Sequence, residues 1–232
     1  MAVTVLLRQP GGPLLGSGVL VRSMPGGVWI VTNRHVVDGQ RLLCVVTADR
    51  RVSPALVLPP SPTQHSNQLD LALLWLPWRN PDPPLVASMH PRPPSAAVLP
   101  LVVSTGYPTP LQPSPDGPVY TESPGLLLPL LKDALQGGFD LAYTAAVEKG
   151  MSGGGVFIGG QLIGINGTHS QPLWPGQWRQ ANGKPLPDDL NDKLELVALG
   201  ISASTIEQAL KTARQPDANG LAALTKTQCR KN

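Results

Sequence analysis

The sequence predicts an all-β chain, a barrel or a sandwich, and three observations carry that expectation. Its apolar segments are short and numerous. Glycine and proline clusters such as Pro25-Gly26-Gly27, Pro59-Pro60 and Gly159-Gly160 separate them, and a single stretch has confident helical periodicity. Many short strands punctuated by turn residues are the pattern of barrels and sandwiches. With 232 residues the chain can bury a substantial core, as one large domain or two small ones.

Taken in order, strands are expected at Val3–Leu7, Gly18–Arg22, Val28–Thr32, Leu42–Thr47, Leu56–Leu58, Leu71–Leu76, Val98–Ser104, Leu141–Ala146, Val156–Ile158, Leu162–Ile165 and Val197–Gly200. Val28-Trp29-Ile30-Val31 is apolar throughout and reads as a buried strand. A helix is expected at Thr205–Ala213, with Ile206, Ala209, Leu210 and Ala213 on one face, Ser204 or Thr205 as its cap and Glu207 in its first turn. Proline is frequent, 27 in all, and dense in Pro77–Pro94 and Pro108–Pro118. Proline has no N–H to give a central strand, so both segments are expected to be surface loops. No internal repeat is visible.

Three residues stand out for chemistry. Ser152 lies in Gly150-Met151-Ser152-Gly153-Gly154-Gly155, between apolar runs. A serine framed by glycines can sit on a tight turn where its own N–H and that of Gly150 point at one oxygen, an oxyanion hole. Gly153 and Gly154 leave room for a substrate backbone. His35 follows the strand Val28–Thr32, ahead of Val36-Val37, well placed to be a positioned base. Asp70 opens the apolar stretch Leu71-Ala72-Leu73-Leu74, where a carboxylate is costly to bury without a partner, and the His35 imidazole is such a partner. Singly, His35 reads as a hydrogen-bonded core histidine and Asp70 as a turn residue. Together, in the order His35, Asp70, Ser152, they read as a nucleophile with its base and orienting acid.

Several segments resemble the trypsin-like (chymotrypsin-fold) serine proteases of the bacterial type, nearer the HtrA and glutamyl-endopeptidase branches than digestive trypsins. Thr32-Asn33-Arg34-His35-Val36-Val37 resembles their T-N-x-H-V-V motif, Asp70-Leu71-Ala72-Leu73-Leu74 their D-L-A-L-L motif, and Gly150–Gly154 their G-x-S-G-G motif. Gly16–Val21, Gly106-Tyr107-Pro108 and Gln161–Gly167 are similar to further segments of the family, so the likeness runs from about residue 14 to 201. Two positions depart from it. Gly155 stands where a proline is usual, and Met151 where digestive trypsins carry an aspartate that pairs with a freshly cut N-terminus. Activation by insertion of a new N-terminus is therefore not expected.

The resemblance implies two packed antiparallel β-barrels, chymotrypsin-like, with a short C-terminal helix. Residues 1–85 would form the barrel carrying His35 and Asp70, 86–203 the barrel carrying Ser152 and the Gly150/Ser152 oxyanion hole, and 204–232 the helix and a polar tail. It implies a serine endopeptidase acting on polypeptide through an acyl-enzyme. The alternative is a protease-fold peptide-binding or regulatory module without turnover. The pocket for the residue on the acyl side of the cut is expected to use Ala146 and Val147 on one wall and Asn166, Gly167, Thr168 and His169 on the other. These offer no carboxylate to pair Lys or Arg. They suit a small or medium apolar side chain, and His169 with Thr168 leaves Glu open. The loop Gln171–Asp192, with Trp174 and Trp178, is expected to border the cleft, its tryptophans either gripping peptide or packing the loop onto the barrel.

Other function classes are not supported. A net charge of +3 is too small to imply nucleic acid, and no stretch has the roughly 18 apolar residues of a membrane span. His65 and His90 lack metal-ligand spacing, and Asp188, Asp189 and Asp192 lack the alternation of a calcium loop, so no metal or cofactor is expected. Cys44 lies in an apolar strand and Cys229 in the polar tail, so no bridge between them is expected. No signal peptide is visible, which suggests a cytoplasmic protein or a processed extracytoplasmic domain. The last 22 positions are expected to be a solvated, frayed tail.

Overall fold

The computed structural model describes residues 2–59, 69–90, 98–109, 117–168, 178–225 and 229. Among these residues twelve strands form two closed six-stranded barrels. The first comprises β1 (Thr4–Arg8), β2 (Leu14–Met24), β3 (Gly27–Thr32), β4 (Leu42–Val46), β5 (Val52–Val57) and β6 (Ala72–Pro77), in the order β1-β2-β3-β6-β5-β4. The second comprises β7 (Leu101–Gly106), β8 (Thr121–Leu128), β9 (Leu141–Tyr143), β10 (Gly155–Ile158), β11 (Gln161–Thr168) and β12 (Ala198–Ser202), in the order β7-β8-β9-β12-β11-β10. All named strand pairs are antiparallel, and the second barrel repeats the connectivity of the first strand for strand. Closure leaves no open sheet edge.

Strand pleating divides the core into three. In β3, Val28 and Ile30 point into the first barrel with Leu20, Leu74 and Leu76, while Trp29 and Val31 point out of it. Those outward residues join Trp75, Phe139, Phe157, Ile165 and Leu199 in a second core between the barrels, where Trp29 and Trp75 meet edge to face at 5.1 Å. Tyr143, Met151 and Val156 fill the second barrel. A strand buried on both faces favours apolar side chains throughout, which is why Val28–Val31 of β3 reads as an unbroken apolar run; the buried Thr32 at its end satisfies its hydroxyl on Ser17 O.

Several expectations are corrected. β8 was not anticipated because it contains Pro124 and Gly125, and Pro54 likewise lies within β5. Neither proline costs a ladder bond from the neighbour on its far side, because β9 pairs only Leu127 and Leu128 of β8, and β6 only Leu56 and Val57 of β5. Cys44 and Cys229 form a disulfide, with Cα atoms 5.6 Å apart. The tail is not frayed at this point. Helix α3 (Ala218–Thr225) seats Leu224 in the core and brings Gly220 against Leu56 of β5, which carries the chain back to β4.

Two more helices precede it. α1 (Asp188–Glu195) holds Asp188 and Asp189 in its first turn, where the helix dipole favours anions, so these carboxylates belong to a helix start. α2 (Ala203–Thr212) begins two residues earlier than expected. Its cap is Ser202, held by Asp140 through Ser202 N–H (2.7 Å) and Ser202 Oγ (2.5 Å). Burial raises the Asp140 carboxyl above its ordinary value. No helix among the described residues is long and apolar enough to cross a membrane.

Candidate active site

The seam between the barrels brings His35 and Asp70 together, and strand pairing explains how. Thr32, the last residue of β3, pairs with Ala72, the first of β6, so the residues just beyond β3 lie beside those just before β6. Val36 and Val37 return to the first barrel's interior, leaving the His35 side chain 52% exposed. Asp70 Oδ1 accepts from the His35 backbone N–H at 2.9 Å, and Oδ2 lies 2.7 Å from His35 Nδ1. A carboxylate only accepts, so Nδ1–H donates, and in the neutral imidazole this leaves the lone pair on Nε2. The Asp70 backbone is held from both barrels. Its carbonyl accepts from Asn33 Nδ2 at 3.1 Å, and its N–H donates to the Gly137 carbonyl of the second barrel at 2.8 Å.

The serine loop runs between β9 and β10. Met151 N–H donates to Glu148 O at 2.9 Å and Gly154 N–H to Met151 O at 3.0 Å, a pair of tight turns. Gly150 and Gly153 sit at φ +96° and +80°, where a Cβ is disfavoured. Space is short as well, since a Cβ on Gly150 would lie 2.6 Å from Tyr107 O and 2.7 Å from Thr109 N. Met151 is fully buried, packed on Gly106 in the second barrel, an apolar plug where a buried carboxylate would need a counter-charge.

Asn166 and Ser17 anchor this loop. Asn166 Nδ2 donates to Thr105 O (2.9 Å) and Met151 O (3.1 Å), while its Oδ1 accepts from Ser104 Oγ and Tyr143 OH, each at 2.8 Å. From the first barrel, Ser17 N–H donates to Ser152 O at 2.9 Å and Ser17 Oγ to Gly150 O at 2.8 Å. The same Ser17 Oγ accepts from Tyr107 N–H at 2.9 Å. The loop is thereby pinned to both barrels.

Two N–H groups of the loop remain open. Thr109 N–H donates to Lys149 O at 2.7 Å, and in a trans peptide this turns the Gly150 N–H the opposite way. Among the described residues neither Gly150 N–H nor Ser152 N–H has an acceptor in the protein. Ser152 Oγ itself donates to Gly167 O at 3.4 Å, not to the His35 ring.

The expected pocket residues fare unequally. Val147 is buried in the second barrel's core, Ala146 is exposed beside it, and Thr168 is half-buried at the end of β11. Asn166 is fully buried with every side-chain polar atom engaged, so it offers a pocket only its backbone. Gly167 has the Phe139 ring directly behind it. His169, His65 and Trp174 lie outside the described residues. Trp178 takes the packing alternative, edge to face on Phe139 at 6.2 Å. Among the described residues no three His, Cys, Asp or Glu side chains gather as a metal site, and His90 sits in the inter-barrel connection with its N–H bonded to Leu162 O. The sequence reading missed Ser17 and Gly137. The polar Ser17 between Gly16 and Gly18 in an apolar strand was a usable signal; Gly137, a contact of backbone alone, left none.

Two barrels of like topology, with a histidine–aspartate pair on one and a glycine-framed serine on the other, define a chymotrypsin-like architecture. Residues 16–165 match the family described as trypsin-like peptidase domain, and the chain belongs to that family. No curated protein sequence matches it. Among solved structures it is similar to a serine endoprotease from Yersinia pestis (21% identity, TM-score 0.59), covering 90% of this chain and 62% of that one. It is also similar to the Rv3671c protease in its inactive form (22%, TM-score 0.56; 90% of this chain, 88% of that one). A third is the HtrA-type protease AlgW with a tripeptide (20%, TM-score 0.62; 91% and 60%). At these identities the likeness is one of fold, and the chain spans under two thirds of the Yersinia and AlgW chains.

Proposed function

We propose that the chain is a serine endopeptidase in which Ser152 attacks the scissile carbonyl of a polypeptide, His35 is the base and Asp70 holds it. The observation that carries this is the doubly bonded His35–Asp70 pair set at the seam with a serine loop whose Gly150 and Ser152 N–H groups have no acceptor among the described residues. His35 Nε2 takes the Ser152 hydroxyl proton as the Oγ–carbonyl bond forms. The imidazolium that results is stabilised by Asp70, and it then protonates the leaving amine. Water repeats the sequence on the acyl-enzyme. The two N–H groups receive the oxyanion, each worth about 2.7–4 kcal/mol in the transition state.

The turn of Ser152 Oγ toward Gly167 O favours the second reading, a peptide-binding module without turnover. Reaction with a fluorophosphonate probe separates the two, because only an activated serine is phosphonylated. The wild-type chain is expected to label and to hydrolyse casein, and a folded Ser152→Ala variant to do neither. Labelling that persists in Ser152→Ala refutes the assignment. For the acyl-side residue, Ala146, exposed beside the buried Val147, supports a small or medium apolar side chain, and Thr168 with His169 leaves Glu open. A peptide library dominated by cleavage after Lys or Arg would overturn that pocket.

A further inference from the structure

We propose that Phe139 is a positioning residue for this triad, with one ring setting how far the Gly137 carbonyl that holds Asp70 lies from the Gly167 backbone beside Ser152. The inference rests on the peptidase reading above. Gly137 O accepts from Asp70 N–H at 2.8 Å, and Gly167 O accepts from Ser152 Oγ at 3.4 Å. The Phe139 ring lies against both glycines, along opposite edges. A Cβ on Gly137 would lie 2.5 Å from Cε2 and 3.0 Å from Cδ2, and one on Gly167 would overlap Cε1 and lie 2.7 Å from Cδ1. The width of the ring therefore sets the separation between Gly137 and Gly167.

The ring is itself held. Phe139 is 7% exposed, its carbonyl accepts from Leu135 N–H at 2.8 Å, and Trp178 stacks edge to face on it. The turn at 135–138 is braced by Gln136 N–H to Arg179 O (2.9 Å) and by the bridge Leu135–Gln180. Trp178 N–H is tied to Asn191 Oδ1 of α1 at 2.8 Å. Only backbone links Asp70 to this assembly, so the ring acts through where it holds the chain, touching no reacting atom.

The test is Phe139→Leu, which keeps an apolar side chain but loses the flat width, beside Leu194→Ala as a control for lost packing. Leu194 is 1% exposed and lies in the same inter-barrel core, whereas the atoms nearest both glycines are those of the Phe139 ring. A small fluorophosphonate reports triad geometry without using the peptide pocket. Its second-order labelling rate is expected to fall about 10–100-fold in Phe139→Leu, as a misplacement near 1 Å does, and to stay at the wild-type value in Leu194→Ala. An equal fall in both variants, or no fall in Phe139→Leu, overturns the inference. If Phe139→Leu does not fold, Trp178→Phe, which loosens the ring from its far side, is read in the same way. A wild-type chain inert to the probe overturns the peptidase reading and takes this inference with it.

Discussion

Replacing Gly150 by alanine tests the oxyanion geometry most directly. At φ +96° an L side chain is strained, by about 1–3 kcal/mol. Here the new Cβ would also meet Tyr107 O at 2.6 Å and Thr109 N at 2.7 Å, both backbone atoms of a segment tied to Ser17. The cheapest escape is rotation of the Lys149–Gly150 peptide, which breaks the 2.7 Å bond from Thr109 N–H and turns the Gly150 N–H out of the cleft. Loss of one oxyanion donor lowers kcat by about 10²–10³-fold. Gly26→Ala isolates the strain, because Gly26 sits at φ +84° in the β2–β3 turn, where an added methyl would have nothing within 4 Å. Both variants are measured by thermal melting and by steady-state peptide hydrolysis. A larger melting loss in Gly150→Ala than in Gly26→Ala, from the added contacts and the broken bond, with activity lost in Gly150→Ala alone, is expected. A Gly150→Ala enzyme within about threefold of Gly26→Ala in kcat would refute the oxyanion assignment.

Two further outcomes concern stability. The Cys44–Cys229 bridge spans 185 residues, for which chain entropy gives about 5 kcal/mol and measured losses run about 2–5 kcal/mol. Cys229→Ser is expected to lose stability in that range in denaturant melts, and reductant to destabilise the wild-type chain but not the variant; an unchanged midpoint for Cys229→Ser would refute the bridge. Asp140 has its folded pKa raised from 3.8 by burial, so its contribution is present at low pH and declines as pH rises from 3.8 through the folded value. The stability of the wild-type chain relative to Asp140→Asn should therefore fall across that window and level off above it, and a difference that rises with pH would contradict the burial argument.

The His35 and Ser152 motifs were legible because each depends on near neighbours: a buried strand before His35, glycines on both sides of Ser152. Asp70 was legible through the cost of a carboxylate at the head of an apolar strand. What each of these residues binds was less so. The family resemblance puts Asn166 in the pocket wall, yet four hydrogen bonds turn its side chain inward to pin Met151 and Thr105. β8 was hidden because Pro124 and Gly125 are poor strand residues: Pro124 has no β9 partner to lose, and Gly125 makes room for the backbone of Ala145, which a Cβ would strike. The repeated connectivity of the barrels left no sequence repeat, since a strand order is satisfied by any apolar pattern of period two that fits.

By itself, then, the sequence determined an all-β chain of many short strands, the unbroken apolar run Val28–Val31 and a glycine-framed serine. All are properties of windows a few residues long, where pleat and turn stereochemistry act. Tertiary structure alone decided the rest. Ser17 reaches Gly150 across 133 positions, Asp70 reaches Gly137, and Cys44 reaches Cys229. Such pairings arise from barrel closure and from the apolar core between the barrels, and backbone carbonyls such as Gly137 O carry no side-chain signature that a local pattern could reveal.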